Sequence, residues 1–247
     1  MQIIAIIPAR YESSRFPGKP LVNLLGKPMI AWVAQAAARA LGKENVYVAT
    51  DDQRIKTTVL NYGFQAIMTP SDVLTGTDRV AYAAMNIPAD IYLNIQGDEP
   101  LLSHDNINKI IEEKKMYPDF VINAMAKITK EEDPHSVNLP KVVFNEDFQL
   151  VYMSRLPVPG TKRGMPDNLC RYKQVCIYAF SQDQLKKFYQ LQRKSALEQA
   201  EDIEILRFLE LGIPVRMCEV ESGALAVDIP EDVSKVEIAL TRLYPNE

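Results

Sequence analysis

The first apolar stretch of the chain does not alternate. Residues 3–7 form a continuous, largely β-branched run, the pattern of a strand buried on both faces of a sheet. Beyond Pro8 the chain turns polar until Pro28, which stands where a helix begins. Met29, Ile30, Val33, Ala34 and Ala37 then fall on one apolar stripe that Gly42 closes. Residues 46–50 predict the next strand. Asp51 and Asp52 are the acidic start of a helix through Leu60, Gly63 ends it, and 65–68 is a short third strand. The segment 72–86 becomes helical near Val80, and 90–95 is a further strand. This βαβαβαβ order implies a parallel, right-handed wound sheet with helices on both faces.

The second half reads differently. Residues 120–126, 141–145 and 150–153 are strand-like, with a turn at 145–147 that predicts a hairpin between the last two. Residues 156–168, rich in Pro and Gly, predict a long loop. A strand at 175–180, a capped helix at 181–189 and one amphipathic helix at 196–211 follow; the last carries Glu198, Glu201, Asp202 and Glu204. Strands at 215–220 and 225–227 precede a final helix at 230–243 with Pro in its first turn. With no internal repeat or linker, 1–247 reads as one α/β domain with an inserted or appended mixed-sheet part.

Composition narrows the picture. A chain of 247 residues can bury about 70–75% of its unfolded surface. Its 47% hydrophobic and 24% charged content is that of a soluble globular protein. The net charge of −4 argues against a general nucleic-acid binder, yet a few local cations suffice for one triphosphate. Cys170, Cys176 and Cys218 are odd in number and form no CxxC pair, so they read as reduced thiols of a cytoplasmic chain. No segment has the length of a membrane span, and His104 and His135 are too few for a histidine-rich metal site.

Three constellations carry candidate chemistry. The loop after the first strand holds Arg10, Ser13, Ser14, Arg15 and Lys19 at what should be the carboxyl end of a sheet strand, where open α/β sheets bind ligands. Cations, hydroxyls and loop amides there suit a polyphosphate. Taken alone, a solvated basic loop is the competing reading. Neither GxxxxGK[ST] nor GxGxxG is present. Next, QGDEP at 96–100 places Asp98 at another strand end, with Gly97 permitting close approach, and Asp228 in AVDIP is a matching carboxylate before a proline-started helix. For each aspartate a turn or N-cap role competes with Mg²⁺ ligation; their paired placement favours the metal. Last, TGTDR at 75–79 reads either as a capped helix start, with Thr77 as N-cap and Arg79 at the surface, or as a base and ribose pocket.

Taken together, IPARYESSRFPGKPL, ATDD, TGTDR, NIQGDEPL, YMSR and VDIPED resemble, in order and spacing, the 3-deoxy-manno-octulosonate cytidylyltransferases (CMP-KDO synthetases). The resemblance implies a nucleotide-diphospho-sugar transferase-like α/β fold, with residues 1–118 as a CTP-binding half and 119–247 as a sugar-acid-binding and dimerisation half that includes Asp228. It implies the Mg²⁺-dependent reaction CTP + KDO → CMP-KDO + diphosphate, feeding lipopolysaccharide assembly in the cytoplasm, by a homodimer without nucleic-acid or membrane partners. Pro8, Ala9, Arg10, Ser13, Ser14, Arg15 and Lys19 match the triphosphate loop, and Thr75, Gly76, Arg79 and Gln96 complete the CTP set. Gln96, Arg155, Gln174, Tyr178, Glu201 and Asp202 match the sugar-acid side. Asp98 and Asp228 match the metal ligands and join Lys19 and Arg15 as the catalytic set.

The chain departs from that family on the acceptor side. Where RHLGIY is typical it reads Lys173-Gln174-Val175-Cys176-Ile177-Tyr178, placing Gln174 at the usual histidine, and AVDIPED replaces GVDTPED. Other acceptors therefore stay open: an 8-amino-8-deoxy KDO variant, another 3-deoxy-2-ulosonate or a sialic-type acid. A non-catalytic nucleotide-binding regulator is the rival from another class, and Lys19, Asp98 and Asp228 speak against it.

Overall fold

A computed structural model of the chain describes residues 1–12, 16–160, 162, 170–221, 226–227 and 229–245. The N-terminal run is β1 (Ile3–Ala9). A two-residue pair, β2 (Asn23–Leu24) and β3 (Lys27–Pro28), leads into α1 (Met29–Leu41), for which Pro28 is the N-cap and Gly42, at φ +81°, the stop. Then come β4 (Val46–Thr50), α2 (Gln53–Asn61) with Asp52 as N-cap, β5 (Gln65–Met68), α3 (Gly76–Ala84) and β6 (Ile91–Ile95). Helix α4 (His104–Met116) is an element that the sequence pattern did not single out, and β7 (Val121–Lys127) follows it. The hairpin expected around 145–147 is present as β8 (Lys141–Phe144) and β9 (Leu150–Ser154). The chain continues through β10 (Tyr172–Phe180), α5 (Gln182–Gln190) with a Ser181 capping box, α6 (Ala196–Glu201), α7 (Leu206–Glu210), β11 (Val215–Glu219) and α8 (Val233–Leu243).

Among the described residues nine strands form one sheet, with a central order β11-β7-β10-β6-β1-β4-β5 and β8-β9 branching from β10. The β6-β1-β4-β5 half is parallel throughout, as the βα alternation required. Strand β10 runs antiparallel between β6 and β7, so the second half extends the first sheet. Ile4 and Ile6 enter one core with α3, α5 and α7, while Ala5, Ile7 and Ala9 enter another with α1, α2 and α4. A strand covered on both faces has no polar side to show, hence its unbroken apolar run. Leu225 lies outside the described residues, and Ala226 and Val227 belong to no strand. The expected 156–168 loop falls in part outside them as well. No helix among the described residues is long and apolar enough to cross a membrane.

The single helix expected at 196–211 is two. Asp202 breaks it with φ +52°. Arg155 causes the break: its Nε donates to the Glu201 carbonyl at 2.5 Å and its Nη2 to the Asp202 carbonyl at 2.9 Å, taking groups that a continuing helix would use. The Glu201 carboxylate accepts in turn from the Arg155 amide at 2.8 Å, Ser154 Oγ at 2.8 Å and the Tyr152 hydroxyl at 3.1 Å, stitching α6 to β9.

Two predictions follow from these braces. Lys114, 2% exposed, donates to the Pro118 carbonyl at 2.7 Å, the Phe120 carbonyl at 2.6 Å and Gln184 Oε1 at 2.9 Å, while burial pushes its pKa down to about 8. Lys114→Met strands those acceptors and should cost about 1–3 kcal/mol in urea unfolding. At Glu201 burial pushes the carboxyl up, but the hydrogen bonds from Arg155, Ser154 and Tyr152 prevail and hold it below its ordinary 4.5. Its contribution is thus complete above the unfolded pKa and lost as pH falls through the lower folded value. Glu201→Gln should therefore lower Tm at pH 7 and shrink the difference from the unaltered chain below about pH 4; equal Tm differences at both pH values would contradict this.

Candidate active site at the strand carboxyl ends

Parallel neighbours bring their ends together. Strands β1 and β6 are adjacent, and the residues beyond them meet so closely that a Cβ on Gly97 would lie 2.9 Å from the Pro8 carbonyl oxygen. The close approach that Gly97 permits is therefore that of the Pro8 backbone. Antiparallel β10 adds its own main chain, with the Gln96 amide donating to the Cys176 carbonyl at 3.4 Å. Above this junction opens a cavity of about 410 Å³. It is lined by Pro8, Ala9, Arg10 and Lys19 from the first loop, by Thr75, Gly76 and Arg79 from the start of α3, and by Gln96, Gly97 and Asp98 from the end of β6. From the second half, Arg155, Cys176, Lys194, Asp202 and Glu204 also line it.

The first loop is pinned near its base. The Gly18 amide donates to the Tyr11 carbonyl at 2.9 Å, Gly18 holds φ +72° with the Tyr11 ring against it, and the Arg54 guanidinium stacks 3.3 Å from that ring's centre. Lys19 Nζ lies 2.8 Å from Asp98 Oδ2. Ser13, Ser14, Arg15 and Asp228 lie outside the described residues; Val227, preceding Asp228, donates its amide to the Asp98 carbonyl at 3.0 Å.

Thr75, and not Thr77, is the N-cap of α3. Arg79, expected at the surface in one reading, is 3% exposed. It bonds to Thr69 Oγ1 and to Asp51 Oδ2, the latter at 3.1 Å. Asp78 carries the main tie to the second half: Arg207, fully buried, pairs bidentately with Asp78 at 2.8 and 3.0 Å and with Glu198 at 2.6 and 2.6 Å.

The acceptor-side residues separate into two groups. Arg155 and Asp202 reach the cavity wall, and Lys194, which no sequence motif indicated, holds Asp202 at 2.8 Å. Glu201 faces β9. Gln174 turns to β7, where its Nε2 donates to Asn123 Oδ1 at 3.0 Å. Tyr178, 6% exposed, shares its face of β10 with Cys176 but stacks on Phe180 in the core. Neither Gln174 nor Tyr178 is among the described residues lining the cavity. Burial drives the Cys176 thiol well above its usual range, so it lines the wall as a neutral group.

Glu204 was also missed as a site residue. Its carboxylate accepts from the Gly76 amide at 3.0 Å and the Thr77 amide at 2.7 Å, and desolvation pushes its pKa up against those bonds. Its partners lie 127 and 128 residues away, so no local signal could reveal the contact.

Comparison with known proteins gives the family and the fold. Residues 4–217 match the family model described as cytidylyltransferase. The 3-deoxy-manno-octulosonate cytidylyltransferase of Syntrophobacter fumaroxidans is 40% identical, with 96% of each chain covered. That of Escherichia coli is 37% identical, covering 97% of this chain and 96% of its own. A solved CMP:2-keto-3-deoxy-manno-octonic acid synthetase complexed with CTP superposes with TM-score 0.91 at 36% identity, covering 98% of this chain and all of the other. A cytidylyltransferase of Leptospira borgpetersenii, at 15% identity and TM-score 0.63, shares the fold. The chain belongs to the cytidylyltransferase family.

Proposed function

We propose that the protein transfers CMP from CTP to the anomeric hydroxyl of KDO, releasing diphosphate. The observation that carries this reading is the meeting of Lys19 and Asp98 at the ends of β1 and β6, inside a cavity lined by both the nucleotide-side and the acceptor-side residues that the family resemblance implies. Phosphoryl transfer asks a protein mainly for positioning and charge neutralisation. Arg10 and Lys19 supply cations for the phosphates. Thr75 and Gly76 offer small surfaces to the nucleoside, and Arg155 and Lys194 are the cations on the wall assigned to the sugar acid. With the acceptor held there, its hydroxyl attacks the α-phosphorus in line and diphosphate leaves toward the Arg10–Lys19 side.

The Asp98 carboxylate is a hard oxygen donor, suited to Mg²⁺, which takes one or two protein carboxylates together with substrate phosphates. Asp98 and Asp228 are the proposed ligands, and the bound ion would supply charge neutralisation at the phosphates. Until then Lys19 balances Asp98. The rest of the proposal comes from the family resemblance: a cytoplasmic homodimer whose product enters lipopolysaccharide assembly, the dimer being open to light scattering.

Diphosphate release from CTP and Mg²⁺ should be fastest with KDO in a panel that includes its 8-amino-8-deoxy variant and a sialic acid; a faster rate with another acid would reassign the acceptor, and no release with any would defeat the proposal. Asp98→Asn should lower kcat/KM by about 10²–10³-fold with a much smaller effect on Tm, because the part-buried Lys19–Asp98 pair keeps some access to water whereas charge at the phosphates weighs heavily on the transition state.

A further inference from the structure

The amino end of α3 faces the cavity that receives the nucleotide, and a helix amino end with free amides attracts phosphate. Here every amide of the first turn is already taken by the protein. Gly76 and Thr77 donate to the two oxygens of Glu204, Asp78 to Thr75 Oγ1 at 3.2 Å, and Arg79 to the Thr75 carbonyl at 3.1 Å. The first two are satisfied from across the fold, by a carboxylate from the segment between α6 and α7 that itself lines the cavity. A carboxylate half-buried at this spot suffers desolvation and the charge of Asp78, both of which push its pKa up. A neutral carboxamide would avoid that cost but offer a single acceptor oxygen to the two amides. What a carboxylate adds is charge: it fills the anion position at the helix end and repels a second anion.

We infer that Glu204 is a positioning residue that masks the amino end of α3 against phosphate, so that CTP enters in one direction, phosphates toward Arg10 and Lys19 and nucleoside toward α3. Without Glu204 the cavity would have two places with anion-binding character, the cationic loop and the helix end, and a triphosphate free to choose between them would bind reversed in a large share of the complexes. A reversed nucleotide places its α-phosphorus away from the acceptor wall and is unproductive. The inference rests on the nucleotide assignment proposed above.

Non-productive binding has a kinetic signature: kcat and KM for CTP fall by the same factor while kcat/KM is unchanged. A cavity that is merely loosened gives a raised KM or a lowered kcat/KM. Glu204→Ala frees two amides and removes the charge; it should lower kcat and KM together by about 2- to 5-fold, the range a helix end offers an anion. Inorganic diphosphate, titrated calorimetrically into the protein without CTP, should bind Glu204→Ala tighter than the unaltered chain by a similar factor. Glu204→Gln keeps the size and one acceptor oxygen and should fall between the two; it carries the test should the alanine variant not fold. Unchanged diphosphate affinity in the variant, or a raised KM, overturns the inference. Failure of the unaltered chain to turn over CTP would defeat the functional reading, while the diphosphate titration would still decide whether Glu204 masks α3.

Discussion

Arg207 ties the first turn of α3 to the second half of this molecule. Its guanidinium is fully buried, stacked 3.8 Å from the Phe188 ring centre and clasped on two edges by Asp78 of α3 and Glu198 of α6. The spare carboxylate capacity is also used: Glu198 accepts from the Ser195 amide at 3.0 Å and Asp78 from the Thr75 hydroxyl at 2.7 Å. A buried ion pair adds little over an apolar replacement, but losing one member costs about 3–5 kcal/mol by leaving a charge unpaired in the interior. The cluster therefore acts as a constraint on geometry. It fixes where α3 begins, and the first turn of α3 is one wall of the cavity.

The same segment sends three carboxylates to two elements. Glu198 reaches α3 through Arg207, Glu201 reaches β9, and Glu204 reaches the α3 amides directly. On an unbroken helix Glu198 and Glu204, six residues apart at about 100° each, would point to different sides. Both can serve α3 because the chain breaks at Asp202, and Arg155 holds that break open by taking two main-chain carbonyls. The wall assigned to the sugar acid is thus an outcome of how α6 ends.

Local pattern carried much of the fold. The unbroken run of β1, the stripe of α1 and the acid-started α2 each follow from short-range physics, and their bounds lie within a residue or two of those expected. Helix α4 passed unnoticed although Ser103 caps it and Ile107, Ile110, Ile111 and Lys114 lie on its buried stripe; a lysine among those positions dilutes the apolar signal until its carbonyl partners are known. The α6–α7 break escaped for a related reason, since an aspartate at φ +52° looks like any other polar helical position.

What the sequence determined by itself was the set of elements and the motifs at the strand ends, because period, capping and turn chemistry act over a few residues. The strand-end residues Arg10, Lys19, Thr75, Gln96 and Asp98 converge for the same reason: a parallel sheet gathers its carboxyl ends. Only the tertiary structure decided which side chains of the second half face the cavity. Gln174 and Tyr178 sit in a motif that points to the acceptor, yet one spends its amide on Asn123 and the other packs in the core. Lys194 and Glu204 carry no local mark and line the wall. Their placement depends on contacts between separate elements, Glu204 with amides 127 and 128 residues away and Gln174 with Asn123 51 residues away, on an antiparallel strand slipped between parallel ones, and on a helix stopped by an arginine from another element. Contacts of that range leave no periodicity in the chain.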